Sequence, residues 1–407
     1  MRPKSLPDVN LHFERAGWTL RQGALLALLM ACGLIVVGQL YATIPLTGTI
    51  AARFGVSPAQ AALVGAAFGV AYAAGFVLLG SASDRLGRKQ AIMAALTATA
   101  LATAWVAVVD RFEMLLVARA AQGMAASLFA PAALALVTED LPPPCRPLGV
   151  SLMSLAFLGA APTAQLVAAE VGALGPLMLG VAPLYLAGAA GLLFVAPRTA
   201  RPVGARAGGR FGDLLRDRGV AAAWGAAATV LFGWVCFYAG AQALGARDGI
   251  DPQVLRLSGL PPLLLTLAAA PLTRRRGGVV TARLGLVLAA AGLVLAAAGL
   301  ILAAAGLAPS KGGAPAMMMA ASAVIASGVA FATPGLIAIV AGRASPSNRG
   351  LALALYSFAL FFGASCAPPF AQALAGANPV ALWLAPAVLL LAAAFAIGAG
   401  QPDRAPR

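Results

Sequence analysis

The chain has 407 residues, 61% of them hydrophobic and 10% charged, with a mean hydropathy of +0.90. An ordinary soluble domain carries about 25% charged residues, so that class is excluded. A net charge of +15 would point a soluble protein toward nucleic acid, but these cations are distributed as a membrane protein distributes them, and no nucleic-acid partner is expected.

Nearly uncharged stretches of 18 or more residues recur along the chain, each long enough to cross a hydrocarbon core about 30 Å thick. Their length and uniform apolarity fit helices and not barrel strands. After a polar tail (residues 1–22) that holds the only histidine, His12, span 1 is expected over about Ala24 to Leu46. The mixed polar tail is followed by a full-length span, so no cleavable signal peptide is expected. Ser57-Pro58 reads as an N-cap and first-turn pair opening span 2, which runs to Leu79, and Gly65-x-x-x-Gly69 within it reads as a close-packing face.

A charged island follows, Gly80 to Ile92 (GSASDRLGRKQAI). It sets one carboxylate, Asp84, beside Arg85, Arg88 and Lys89, with Gly80 and Gly87 bracketing a tight reversal. Span 3 is expected over about Ala91 to Val109, span 4 over Leu115 to Val137, span 5 over Leu148 to Val171 and span 6 over Leu177 to Val195. Residues 197–219, the longest polar interval, read as a linker between two halves. Phe211 to Arg218 reads as a short helix on the membrane surface.

Span 7 is expected over Ala221 to Leu244, span 8 over Leu255 to Leu272, span 10 over Ala316 to Val340, span 11 over Gly350 to Ala373 and span 12 over Val380 to Gly398. Span 9 holds LAAAGL three times, with Gly292, Gly299 and Gly306 in step on one face. Either packing or low-complexity drift explains that repeat. Both ends then lie in the cytoplasm, and 22 of the 28 cations fall on that side; the others are Arg53, Arg111, Arg119, Arg247, Arg256 and Lys311.

Phe129-Ala130-Pro131 is echoed by Phe331-Ala332-Thr333-Pro334, and Arg146 with Gly149 by Arg349-Gly350. Both offsets are about 200 residues, the mark of a six-plus-six duplication. The expected divisions are a tail (1–22), a six-helix half (23–196), a linker (197–219), a second half (220–399) and a tail (400–407).

Gly80, Asp84, Arg85, Gly87, Arg88 and Lys89 stand in register with G-x-x-x-D-R-x-G-R-[KR]. That pattern resembles the signature loop of the major facilitator superfamily. Arg119-x-x-Gln122-Gly123 in span 4 is similar to a second pattern of that superfamily. The resemblance implies an all-α membrane protein of about twelve transmembrane helices in two pseudo-symmetric halves, moving a small-molecule substrate within the lipid bilayer by alternating access. It further implies that Asp84 meets the start of span 11 as a latch between the halves, and that Arg119 serves proton coupling or substrate contact. The plainer alternative for Arg119 is a side chain snorkelling to the nearby interface.

In this fold spans 1, 4, 7 and 10 line the substrate cavity. The candidates there are Gln39, Tyr41, Thr43, Gln122, Ser127, Phe129, Trp234, Tyr238, Gln242, Phe331 and Thr333. Aromatic and amide groups in an apolar wall suit a small neutral or amphipathic solute.

None of the thirteen acids falls in mid-span, which speaks against an organic cation and leaves the coupling residue open between Glu170 and Asp84. Span 5 offers Gly159-Ala160-Ala161-Pro162-Thr163-Ala164 where antiporters of the superfamily have G-P-x-x-G-G. The stretches PLTGTIAARFGVSP and GSASDRLGRK resemble bacterial twelve-span sugar and drug efflux permeases, which implies proton-coupled export through a bacterial inner membrane by a monomer. Twenty-five arginines against three lysines fit a GC-rich bacterial source. The alternatives are an importer or uniporter of a sugar or organic anion, held by Arg119, and a non-transporting sensor of the same fold.

Cys32, Cys145, Cys236 and Cys366 make no metal or disulfide pattern. No nucleophile–base cluster or Walker loop is present, so neither enzyme chemistry nor a cofactor is expected.

Overall fold

The structure is a computed structural model that describes residues 19–79, 86–197, 214, 216–244, 251–305, 313–345 and 348–399. Within them, twelve helices are long and apolar enough to cross a membrane. Spans 1 to 6 are Leu20–Gly38, Pro58–Leu79, Arg88–Val108, Phe112–Asp140, Pro143–Val171 and Leu174–Val195. Spans 7 to 12 are Arg218–Leu244, Pro252–Arg276, Gly278–Leu302, Pro315–Arg343, Arg349–Ala375 and Pro379–Ala399. An even number of crossings puts the described beginning and end on one face, here the terminal face.

Span 1 departs from the sequence expectation. Its helix stops at Gly38, and residues 39–46 form successive tight turns before a short helix, Thr47–Phe54. The backbone there closes three-residue bonds, Leu40 N–H to the Val37 carbonyl at 3.2 Å and Ile44 N–H to the Tyr41 carbonyl at 3.1 Å. Pro45 has no N–H and disfavours helix in the residue before it, which keeps the helix from resuming before Thr47. Span 4 breaks at Ser127-Leu128, just before Pro131, and span 8 passes through a 3₁₀ turn at Pro261–Leu265. Pro334, the counterpart of Pro131, stands inside an unbroken span 10.

Span 2 starts as expected. Ser57 Oγ accepts from the Gln60 N–H at 3.2 Å, and Gln60 Oε1 accepts from the Ser57 N–H at 2.9 Å, a reciprocal capping box. Spans 9 and 10 pack closely through one glycine of the repeat, Gly292, and two glycines before it. Gly278, Gly285 and Gly292, seven residues apart, lie against Gly335, Ala332, Gly328 and Ile325 of span 10, where a Cβ would collide. That is one heptad earlier than Gly292, Gly299 and Gly306; Gly306 lies outside the described residues.

Spans 1–6 and spans 7–12 pack mainly among themselves and meet along spans 2 and 11 and along spans 5 and 8. At the first contact Gly69 lies directly against Ser365. One turn on, the Phe361 ring meets Tyr72 edge-on at 4.9 Å and stacks on Phe76 at 5.5 Å. The absence of a side chain at Gly69 lets the two spans touch at mid-length.

Candidate functional site

Among the described residues, the buried charged side chains are Arg119 and Arg256. Arg119 enters from span 4 into the break of span 1. Its Nη2 donates to the Gln39 carbonyl at 2.7 Å, one of the backbone oxygens near the point where the helix stops. Its Nη1 donates to Gln122 Oε1 at 2.6 Å and more weakly to Gln39 Oε1 at 3.5 Å, and its Nε donates to the Val64 carbonyl of span 2 at 3.2 Å. The guanidinium also lies over the Phe68 ring, 4.6 Å from its centroid. Arg119 is fully buried, which overturns the snorkelling alternative. Four oxygen contacts use most of its five donors, so it ties spans 1, 2 and 4 into one unit.

Gln122 extends the network, donating from Nε2 to Thr103 Oγ1 of span 3 at 2.7 Å. Gly123 explains the glycine that follows: a Cβ there would drive into the Phe68 carbonyl, so spans 2 and 4 touch backbone to backbone. The R-x-x-Q-G run thus supplies a tether, a relay and a gap, at adjoining positions on one helix.

Arg256 is the second centre, and sequence reading missed it. It stands one turn inside the opposite-face end of span 8, at the second residue of the span expected from sequence, where the count of charges places it only among the cations off the cytoplasmic side. Its Nε donates to Gln165 Oε1 of span 5 at 3.2 Å, and its Nη2 to Gln242 Oε1 of span 7 at 2.6 Å. The bond to Gln165 crosses between the halves. The available signal was an arginine within helical reach of a span that also holds Pro261, Pro262 and Gly259, in line with two span glutamines.

On the terminal face Arg88 Nε meets Glu139 Oε1 at 3.1 Å, and Lys89 Nζ donates to the Ala196 carbonyl at 3.0 Å and the Leu193 carbonyl at 3.3 Å. Gly87 precedes span 3 at φ 90°, a conformation that favours glycine. Gly80, Asp84 and Arg85 lie outside the described residues, as do most of 197–219 and residues 211–213 and 215 of its expected surface helix; Arg218, the expected end of that helix, begins span 7.

Of the cavity candidates, Gln39 and Gln122 join Arg119, while Tyr41, Phe129, Trp234 and Tyr238 are buried. The Tyr238 hydroxyl pairs with Ser322 Oγ of span 10 at 3.1 Å. Phe331 is partly buried; Thr333 is buried, and its Oγ1 lacks a hydrogen-bond partner, as does the Tyr72 hydroxyl. Buried polar groups without partners are uncommon and are worth explaining by a solute or water. Glu170, one of the two coupling candidates, is exposed at the end of span 5.

Twelve spans, two halves meeting along spans 2/11 and 5/8, and a buried polar network at a break in span 1 define a polytopic membrane transporter. The family model for the Major Facilitator Superfamily matches residues 26–298, about two thirds of the chain, and the protein belongs to that superfamily. A comparison with curated proteins finds no match.

Proposed function

We infer that the protein is a secondary active transporter exporting a small organic solute by alternating access, in exchange for protons. The observation that supports this best is the contact between the halves. It includes Gly69 with Ser365, Phe361 with Tyr72 and Phe76, and Arg256 with Gln165. Each is separable without unfolding either half, as rocking requires. The arginine-rich terminal face, with Arg274, Arg275 and Arg276 at one span end, supports reading that face as cytoplasmic. Both tails and the linker 197–219 then lie in the cytoplasm of a bacterium, the two halves comprise 23–196 and 220–399, and the chain works as a monomer.

Export follows from the resemblance of the first half to efflux permeases. Coupling to protons needs an acid, and Asp84 in the signature loop is the first to examine. Everted vesicles with an acidic lumen provide the test: sugars, organic acids, neutral antibiotics and cationic dyes are added in turn, with Asp84→Asn as control. Proton release on adding one class, lost in the control, is the expected result. Silence across the whole panel, with the protein present, overturns proton-coupled export.

A further inference from the structure

Arg256 differs from Arg119 in what it is given. Its described bonds go to two amide oxygens, Gln165 Oε1 at 3.2 Å and Gln242 Oε1 at 2.6 Å, which engage two of five N–H donors. Among the described residues no carboxylate forms an ion pair with it, although it is only 1% exposed. Asp251, one turn earlier, is the carboxylate closest along the chain, and its Oδ1 caps the helix start by accepting the Gln253 N–H at 2.8 Å. Asp251 attracts the guanidinium from beyond ion-pair distance, at the wall of a cleft that both residues line. With only dipoles on its hydrogen-bonding N–H groups, the guanidinium still lacks a carboxylate held through the planar fork, the partner that stabilises it best.

Arg256 also helps to line a cleft of about 340 Å³ at the opposite face, between Pro45, Leu46 and Thr49 of the first half and Gln242, Asp251 and Pro252 of the second. Its walls are polar and apolar in nearly equal share, and its volume lies at the small end of organic-ligand sites.

We propose that Arg256, held by Gln242, is a subsite that takes the carboxylate of a small monocarboxylic acid in the place Gln165 now fills. The incoming carboxylate replaces Gln165 Oε1 on Nε and engages the free donors. Gln165 is the guanidinium's partner in the first half, so the exchange releases the two halves on that side. Ligand capture and opening of the cleft are one event. This rests on the transport reading above, and names its substrate class.

Calorimetric titration of the full chain in detergent, with benzoate as probe and benzamide as its neutral isostere, reads the subsite directly. Benzoate is expected to bind at least about tenfold tighter than benzamide, and Arg256→Gln to erase that preference. Gln165→Leu removes the internal competitor and is expected to tighten benzoate several-fold. Equal or undetectable binding of both probes, or a preference that survives Arg256→Gln, overturns the proposal. Should Arg256→Gln fail to fold, an unchanged benzoate affinity in Gln165→Leu overturns it. The vesicle assay keeps the two readings apart. Solute flux without an Arg256-dependent preference removes the subsite alone, whereas an Arg256-dependent preference without any flux removes the transport reading alone.

Discussion

Asp217 and Arg343 meet at 3.0 Å across the terminal-face ends of spans 7 and 10, while Arg21 and Asp140 meet at 2.7 Å across the same ends of spans 1 and 4. The two pairs occupy matching places in the two halves with their signs exchanged. Among the described residues each half therefore clips two of its own spans together on that face with charges of its own.

The Asp217 carboxylate also caps span 7, accepting the Gly219 N–H at 2.8 Å and the Val220 N–H at 3.1 Å. Burial raises its pKa, but the Val220 N–H, Arg343 and the Gly219 N–H outweigh burial and hold the group below its ordinary value. A depressed carboxylate pKa stabilises the fold above the unfolded value of about 3.9, and the benefit fades as pH falls through the folded value. Asp217→Ala should cost about 1 kcal/mol at neutral pH, mostly from the lost cap, since the pair itself is about a third exposed. Thermal unfolding in detergent checks this. The gap between wild type and variant should narrow below about pH 4, and a gap that widens there would refute the assignment.

Gly123→Ala places a methyl against the Phe68 carbonyl, where the obstacle is backbone and cannot rotate away. A destabilisation of about 1–3 kcal/mol is expected from such overpacking. Gly225→Ala in span 7 meets nothing within 4 Å and serves as the comparison. Comparable melting shifts for the two variants would show that the close approach of spans 2 and 4 carries no special weight.

Arg119→Lys keeps the charge and loses the fork. A single ammonium cannot reach the Gln39 carbonyl, Gln122 Oε1 and the Val64 carbonyl together in the geometry Arg119 uses. Each lost charged hydrogen bond is worth about 1.5–3 kcal/mol, so transport should fall at least about tenfold. Wild-type flux in Arg119→Lys would reduce the residue to a carrier of positive charge.

The spans were legible because twenty apolar residues without a charge have few other destinations. Helix ends at Leu79, Val195 and Leu244 fall where charge or glycine begins. The breaks were harder to see. Gln39 and Tyr41 look like ordinary members of an apolar run, and the end of the helix at Gly38 becomes intelligible once the Gln39 carbonyl is found on Arg119. Arg119 announced itself by sitting in a span beside a known motif. Arg256 did not, because it fell at the very start of the expected span 8, and hydropathy alone does not say whether a cation at a span end is buried. Its burial depends on Gln165, 91 positions away, and on Gln242, and such pairings arise only when the helices pack.

Gly69 and Ser365 test whether the halves separate. Their contact lies midway along spans 2 and 11, and Ser365 is 1% exposed. With Cys366→Ser in the background, a Ser365→Cys thiol should react slowly with a membrane-permeant maleimide, because a buried thiol cannot readily form the thiolate. Adding Gly69→Val forces a branched side chain into the seam, disfavours the closed contact with Phe361 and its neighbours, and admits water between the spans. Labelling should then accelerate about tenfold or more, as a shift of about 1.4 kcal/mol in the opening equilibrium requires. Equal rates in the two backgrounds, with both proteins melting normally, would mean that spans 2 and 11 do not part along this seam, and the rocking motion would need another interface.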